Sequence, residues 1–236
     1  MSALEKAKRL VAGATTIAVL TGAGISAESG VPVFRGPGGL WRDYRPEDLA
    51  TPEAFARDPK LVWEWYMWRR GVVARAEPNA GHRALAELER RVGRGFTLIT
   101  QNVDGLHERA GSKRILKVHG DIRVSRCTQC AYQFLDKTAK FTEIPLCPEC
   151  GAMLRPGVVW FGEGLPRLVW EEAERAVHGC RVLIVAGTSA QVYPAAGLID
   201  LAPGATIEIN IDDTAYTPGV TVSLRGPCGE LLPQLI

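Results

Sequence analysis

The sequence predicts an α/β fold: a parallel sheet covered by helices on both faces, with a smaller unit inserted into it. Three observations predict it. Apolar runs without polar alternation, the first being Thr16-Ile17-Ala18-Val19-Leu20-Thr21, suit strands buried on both faces. Helical stretches separate these runs, as the crossovers of a parallel sheet require. Two tight cysteine pairs lie in a stretch with few core residues, which marks a unit that needs its own stabilisation.

Taken in order, the first strand runs straight into the glycine-rich segment Gly22 to Gly30, and a Pro/Gly loop follows from Val31 to Gly39. Residues 41–92 read as helices, mixing aromatic and charged residues with few strand formers. The strand pattern returns at Phe96-Thr97-Leu98-Ile99-Thr100, Ile115-Leu116-Lys117-Val118, Arg181 to Ala186, Thr206 to Ile209 and Val220 to Leu224. Helices are expected at about 103–110, 166–178 and 193–201. The main domain is therefore expected to be Rossmann-like, assembled from residues 1–40, 93–120 and 156–236. Residues 41–92, a helical insertion, and residues 121–155, the module that holds the cysteine pairs, would form the small domain.

The 236 residues suffice for this arrangement, and 46% hydrophobic with 23% charged residues is ordinary for a globular chain. A net charge of +2 gives no argument for nucleic acid or an anionic membrane as partner. No apolar run reaches transmembrane length, and Met1 to Leu10 is charged and helix-like without a signal core. A cytoplasmic monomer is expected.

Gly22-Ala23-Gly24-Ile25-Ser26-Ala27 fits G-x-G-x-x-A directly after a strand. The first glycine permits the tight turn, the second lets backbone approach a pyrophosphate, and the small third residue allows helix and sheet to pack closely. A tight turn with no ligand is the competing reading. A hydride-transferring dehydrogenase usually places an acidic residue about 20 residues on, at the next strand end; here a Pro/Gly loop and helix follow instead. Asn210, ending the strand 206–209, is a candidate ribose partner.

Cys127-x2-Cys130-x16-Cys147-x2-Cys150 has the spacing of a tetrahedral zinc site. Four protein ligands leave no open position for water, so the metal would be structural. Cys180 and Cys228 stand alone. Of the four histidines, His82 begins a helix and reads as a surface or capping residue. His178 lies near a helix end, where the dipole favours a cation, and His107 sits within the helical stretch 103–110. His119 instead follows the strand 115–118, where parallel sheets present residues to a ligand crevice, and an imidazole there can accept a proton near neutral pH.

Together these motifs resemble those of the sirtuin family. The run from Gly22 through Gly30-Val31-Pro32-Val33-Phe34-Arg35-Gly36 is similar to the sirtuin cofactor loop. Thr100-Gln101-Asn102-Val103-Asp104-Gly105-Leu106-His107 resembles the TQNxDxLH motif, and His119-Gly120 corresponds to the catalytic histidine. The cysteine pairs stand where the family carries its zinc module. Gly187-Thr188-Ser189, Val192-Tyr193-Pro194-Ala195-Ala196, Glu208-Ile209-Asn210 and Gly226-Pro227-Cys228-Gly229 resemble the remaining nucleotide-binding turns. The matches run in order over about residues 12–233. One departure is Gly157 in Arg155-Pro156-Gly157-Val158-Val159-Trp160-Phe161-Gly162-Glu163, where the family often has His.

The resemblance implies an enzyme that uses NAD to remove acyl groups (succinyl, malonyl, glutaryl and also acetyl) from protein lysine, yielding nicotinamide, O-acyl-ADP-ribose and free lysine. It implies NAD contacts from Gly22, Ala23, Gly24, Ser26, Ala27, Glu28, Phe34, Arg35 and Trp41 in the first loop. Gln101, Asn102, Val103 and Asp104 would contribute from the second, and Gly187, Thr188, Ser189, Asn210, Ile211, Asp212 and Cys228 from the last turns. His119, Asn102 and Asp104 are the implied catalytic set, with His119 deprotonating a ribose hydroxyl. The acylated peptide would add as a strand between the domains along Val158, Val159, Phe161, Gly162 and Glu163.

Tyr66 and Arg69 are three residues apart, so they share a helix face and can present a phenol and a guanidinium fork to one carboxylate. This Y-x-x-R, with the small Ala50, resembles sirtuins that prefer succinyl-, malonyl- or glutaryl-lysine; the alternative is an amphipathic core helix with an arginine reaching for water. Two rivals for the whole chain are an NAD-dependent protein ADP-ribosyltransferase and a non-catalytic NAD-sensing zinc module.

Overall fold

The computed structural model describes residues 1–33, 45–136 and 143–236. Helix α1 (Ala3–Ala12) leads into β1 (Ile17–Thr21) and the single-turn α2 (Gly24–Ala27). Helices α3 (Pro46–Leu49), α4 (Pro52–Arg57), α5 (Pro59–Arg75) and α6 (Ala80–Val92) precede β2 (Phe96–Thr100), α7 (Leu106–Ala110) and β3 (Ile115–Lys117). Strands β4 (Gly120–Cys127), β5 (Gln133–Leu135) and β6 (Leu154–Val158) follow. The chain closes with α8 (Arg167–His178), β7 (Val182–Ala186), β8 (Ala205–Asn210), β9 (Val222–Arg225) and α9 (Cys228–Leu231).

Six strands form one sheet in the order β3-β2-β1-β7-β8-β9, and every pairing in it is parallel. The unalternated apolar runs are explained by burial on both faces. In β1, Ile17 and Val19 enter the core made with α1, α6 and α9, whereas Ala18 and Leu20 enter the opposite core made with α8. The strand order reverses between β1 and β7, so the ligand crevice lies beyond their C-terminal ends.

A second, antiparallel sheet of order β5-β4-β6 carries the cysteine pairs. Because β6 runs to Val158, this sheet extends past the expected boundary at 155. Helix α6 also departs from expectation. Grouped with the helical insertion on sequence, it packs Ala84, Leu85 and Leu88 against Ile17, Phe96 and Leu98 and covers the large sheet. The reason is topological: α6 is the last α-helix of the crossover from β1 to its parallel neighbour β2. Helix α7 starts at Leu106, later than the expected 103, because Gly105 is left-handed (φ 73°) and Asp104 caps the Leu106 N–H through its side chain.

Helix α5 is bolted to the antiparallel sheet. Its Arg70 donates to the carbonyls of Ile122 and Val124, to Ser125 Oγ, and to Asp136 Oδ2 at 2.9 Å; the Asp136 side chain is fully buried and also accepts from Ser125. Removing one partner would leave the other charge buried alone. Asp136→Asn is therefore expected to destabilise the packing of α5 on the antiparallel sheet by about 3–5 kcal/mol. Chemical denaturation checks this, and an unchanged midpoint would show that the pair contributes nothing net.

Candidate active site at the sheet switch point

The glycine-rich turn is tight for a visible reason. The Gly24 N–H donates to Gly187 O at 2.7 Å, and Gly22 and Gly24 lie so close to the Gly187-Thr188 backbone that a Cβ on either would come within 2.9 Å of it. Gly187 itself is left-handed (φ 61°) with Ile25 N 2.3 Å from where its Cβ would stand. The two turns are thus pressed together at the ends of β1 and β7. Gln101 Nε2 donates to Thr188 Oγ1, and Asn210 Nδ2 donates to Thr188 O, which brings the ends of β2 and β8 to the same spot. Ala27, Glu28, Ser189, Ile211 and Asp212 sit on the rim and are exposed. The Glu28 carboxylate accepts the Gly229 N–H, tying the first loop to the buried Cys228 at the start of α9. Burial pushes the Cys228 thiol up to about 12, so it stays protonated. Phe34, Arg35 and Trp41 lie outside the described residues.

Below this rim is a buried polar network whose hydrogens have only one consistent arrangement. His82 Nδ1 accepts from the Asn79 N–H, so its Nε2 carries the proton and points it at Ser26 Oγ, 3.4 Å away. Asn102 Nδ2 also donates to Ser26 Oγ (3.2 Å) and to Gly22 O (2.9 Å). Ser26 must then give its own proton to Asp104 Oδ2 at 2.8 Å. Burial raises the Asp104 carboxyl despite these donors, and it lowers His82 to about 4, so His82 is neutral. The His107 ring stacks on that of His82 with centroids 4.8 Å apart and contacts Thr21 Oγ1 at 3.0 Å, while Thr21 in turn donates to Thr100. A cavity of about 20 Å³ sits over the network, lined by Ser26, Arg69, Asn102, Val103 and Asp104 among others.

His82 is a correction to the sequence reading: it caps its helix as expected, but it is wholly buried and contacts the site. The signal is its position on the α6 face shared with Leu85 and Glu89, both buried. His107, which the sequence places in a helical stretch and at the end of the TQNxDxLH motif, joins the network as well.

His119 stands at the edge of the network. Its Nδ1 contacts Gln101 O at 3.2 Å; a carbonyl only accepts, so Nδ1 carries the hydrogen and Nε2 keeps its lone pair. Burial holds its pKa below the ordinary 6.5, so the ring is neutral at pH 7. The His119 carbonyl accepts from the Val159 N–H, and the Phe161 N–H donates to Ala50 O, which seats the 158–163 segment beside the histidine. Glu163 pins that segment, accepting from the Trp160 N–H, from Arg126 and from both terminal Arg155 nitrogens. Phe161 and Gly162 are exposed, while Val158 is buried. The Gly157 departure has a steric basis: a Cβ there would meet Val124 Cβ at 2.7 Å.

Tyr66 and Arg69 are both buried on α5, and the Arg69 guanidinium carbon lies 4.7 Å from the Trp65 ring centroid and 5.4 Å from that of Tyr66. Burial lowers the Arg69 pKa and raises that of Tyr66. Arg69 also lines the small cavity above Asp104, together with Val72 and Val73 of the same helix.

The four cysteine Sγ atoms lie within 4.8 Å of one another, with Cys127–Cys150 at 3.4 Å, Cys130–Cys147 at 3.6 Å and Cys130–Cys150 at 3.7 Å. A tetrahedral zinc with bonds of about 2.3 Å requires sulfurs about 3.8 Å apart, so the set fits one zinc ion. None of the four is in a disulfide. The Gln129 and Cys130 N–H groups donate to Cys127 Sγ, the kind of support that a thiolate ligand uses.

Residues 22–194 match the model of the Sir2 family. The NAD-dependent protein deacylase 1 of Archaeoglobus fulgidus is 52% identical, over 98% of this chain and 96% of its own. An NAD-dependent protein deacylase of Thermus thermophilus is 51% identical, over 95% and 91%. Among solved structures, a Sir2 homologue in complex with NAD superimposes with a TM-score of 0.93 at 53% identity, covering 98% of this chain and 91% of that one. A Sir2 enzyme with a deacetylated p53 peptide and 3′-O-acetyl ADP-ribose superimposes at 0.85 with 30% identity, covering 98% and 96%. The sequence motifs, the sheet with its paired glycine turns, and these likenesses agree: the chain belongs to the Sir2 family, the sirtuins.

Proposed function

We propose that this chain is an NAD-dependent protein-lysine deacylase that favours acidic acyl groups and carries one structural zinc. The observation that supports it most is His119: a neutral imidazole with Nδ1–H pinned to a backbone carbonyl and the lone pair left on Nε2, beside a prearranged Asn102–Ser26–Asp104 cluster. NAD, when bound, would supply a ribose carbon that exchanges nicotinamide for the amide oxygen of the acyl-lysine, and a ribose hydroxyl on which the acyl group ends once water has freed the lysine. The chain's own part is positioning and proton transfer. The paired glycine turns and the Gln101–Thr188–Asn210 contacts would hold the dinucleotide, and Asn102 and Asp104 would orient its nicotinamide end. His119 Nε2 would take the proton of a ribose hydroxyl. Segment 158–163, beside Ala50 and His119, would align the peptide.

Curated relatives are named NAD-dependent protein deacylases, and neighbouring structures contain NAD or ADP-ribose. That agrees with the reading. Purified chain, NAD and acyl-lysine peptides should yield O-acyl-ADP-ribose by mass spectrometry. Release of nicotinamide without acyl-peptide, with ADP-ribose appearing on protein, would favour an ADP-ribosyltransferase instead. Binding of NAD without any turnover would favour a sensing module.

The acidic-acyl part rests on Tyr66 and Arg69. A guanidinium pairing with the acyl carboxylate contributes about 1.5–3 kcal/mol, or roughly a 10- to 150-fold factor in kcat/KM. Arg69→Met is therefore expected to lower kcat/KM on a succinyl-lysine peptide by that factor and to affect the matched acetyl peptide far less. Equal losses on both peptides would refute the selectivity.

A further inference from the structure

Trp160 lies 94 positions from Tyr66 in sequence, yet its indole Nε1 donates to the Tyr66 hydroxyl oxygen at 2.9 Å in a buried setting. An indole N–H can only donate, so the phenol oxygen is the acceptor here. The phenol proton must then turn elsewhere, and it cannot turn to Arg69, which is also a pure donor. The phenol is in this way oriented as a hydrogen-bond donor on the same helix face as Arg69. Trp160 is itself fixed: the Arg155 guanidinium stands over its ring at 3.2 Å, Phe55 packs against it with centroids 5.3 Å apart, and its backbone N–H is held by Glu163. The cation over the ring also withdraws density from the indole and strengthens its N–H as a donor.

We infer that Trp160 is a specificity-determining positioning residue: by occupying the Tyr66 oxygen from one side, it aims the phenol proton at an acyl carboxylate held by Arg69. This rests on the acidic-acyl reading proposed above. A phenylalanine at 160 keeps the aromatic packing and drops the donor. The Tyr66 hydroxyl is then free to rotate, and its ordering must be supplied at each binding event.

The test uses the zinc-loaded chain with NAD and succinyl- and acetyl-lysine peptides of one sequence. In Trp160→Phe the ratio of succinyl to acetyl kcat/KM should fall about five- to tenfold, with most of the change in the succinyl KM. Tyr66→Phe should lower the ratio at least as much, and adding Trp160→Phe to it should change the ratio no further. A ratio unchanged in Trp160→Phe, or two fully additive effects, overturns the inference while leaving the acidic-acyl reading intact. A wild-type chain without preference for the succinyl peptide overturns that reading and this inference with it. If Trp160→Phe melts or loses zinc, site-specific benzothienylalanine at 160 keeps the indole shape without the N–H, and the same outcomes apply.

Discussion

His119→Ala is expected to lower kcat by roughly 10²–10⁴-fold, the range general bases contribute, while NAD affinity stays within a few-fold. The argument is geometric. Among the described residues, the His119 side chain makes one hydrogen bond, to Gln101 O, and that bond only orients the ring. Its removal leaves the Asn102–Ser26–Asp104 cluster and the paired glycine turns untouched, so binding groups survive and the proton acceptor does not. The pH profile gives an independent check. Burial disfavours the imidazolium, so the His119 pKa lies below 6.5 in the free enzyme. The base is active when neutral, so kcat/KM should be level through neutral pH and decline only as the pH falls through that lowered pKa. An acidic limb centred above about 7, or near-normal turnover by His119→Ala, would remove His119 from the chemical step. Titration calorimetry on the variant separates binding from turnover.

How much of this was legible beforehand follows from the range of the interactions. The strands were readable because two-sided burial leaves an unbroken apolar run, as in Ile17–Thr21 and Val182–Ala186, which requires no knowledge of partners. The cysteine tetrad was readable because its ligands come in short-range pairs. The placement of Asn102, Asp104 and His119 at the crevice was readable because each follows a strand end or belongs to a motif. What sequence did not disclose depends on contacts between distant segments. His82 reads as a capping residue until α6 is seen to lie over the sheet, which places its Nε2 against Ser26, 56 positions away. Nothing in the sequence singles out Arg70, whose partner Asp136 lies 66 positions on and is buried beside it. Trp160 reads as strand core until its N–H is seen to end on Tyr66. The Gly157 departure became intelligible only once β4 was paired with β6 and Val124 filled the space.

Removing the metal is expected to unfold the small domain's cysteine module while sparing the large sheet. Cys127 and Cys147 share one hydrophobic cluster with Leu154, Trp63 and Ile122. Among the described residues, the two clusters flanking the six-stranded sheet contain nothing from 121–155. The module thus has little apolar burial of its own, and structural zinc in small peptides supplies about 10–16 kcal/mol at neutral pH. A chelated chain, or Cys147→Ser, should lose zinc and its single cooperative melt, giving one early transition for the small domain and a later one for the sheet. Activity should fall with the first of these, because the module is continuous with the site: β4 begins at Gly120, directly after His119, and the Ile122 N–H donates to Val103 O between Asn102 and Asp104. The 158–163 segment leaves the same sheet through β6. Zinc would therefore act on catalysis only through the backbone it holds, and re-addition of zinc to the chelated wild type should restore turnover and the single melt together. Full turnover by a chain shown to be metal-free, or a melt indifferent to chelation, would mean that the four thiols hold the fold without an ion.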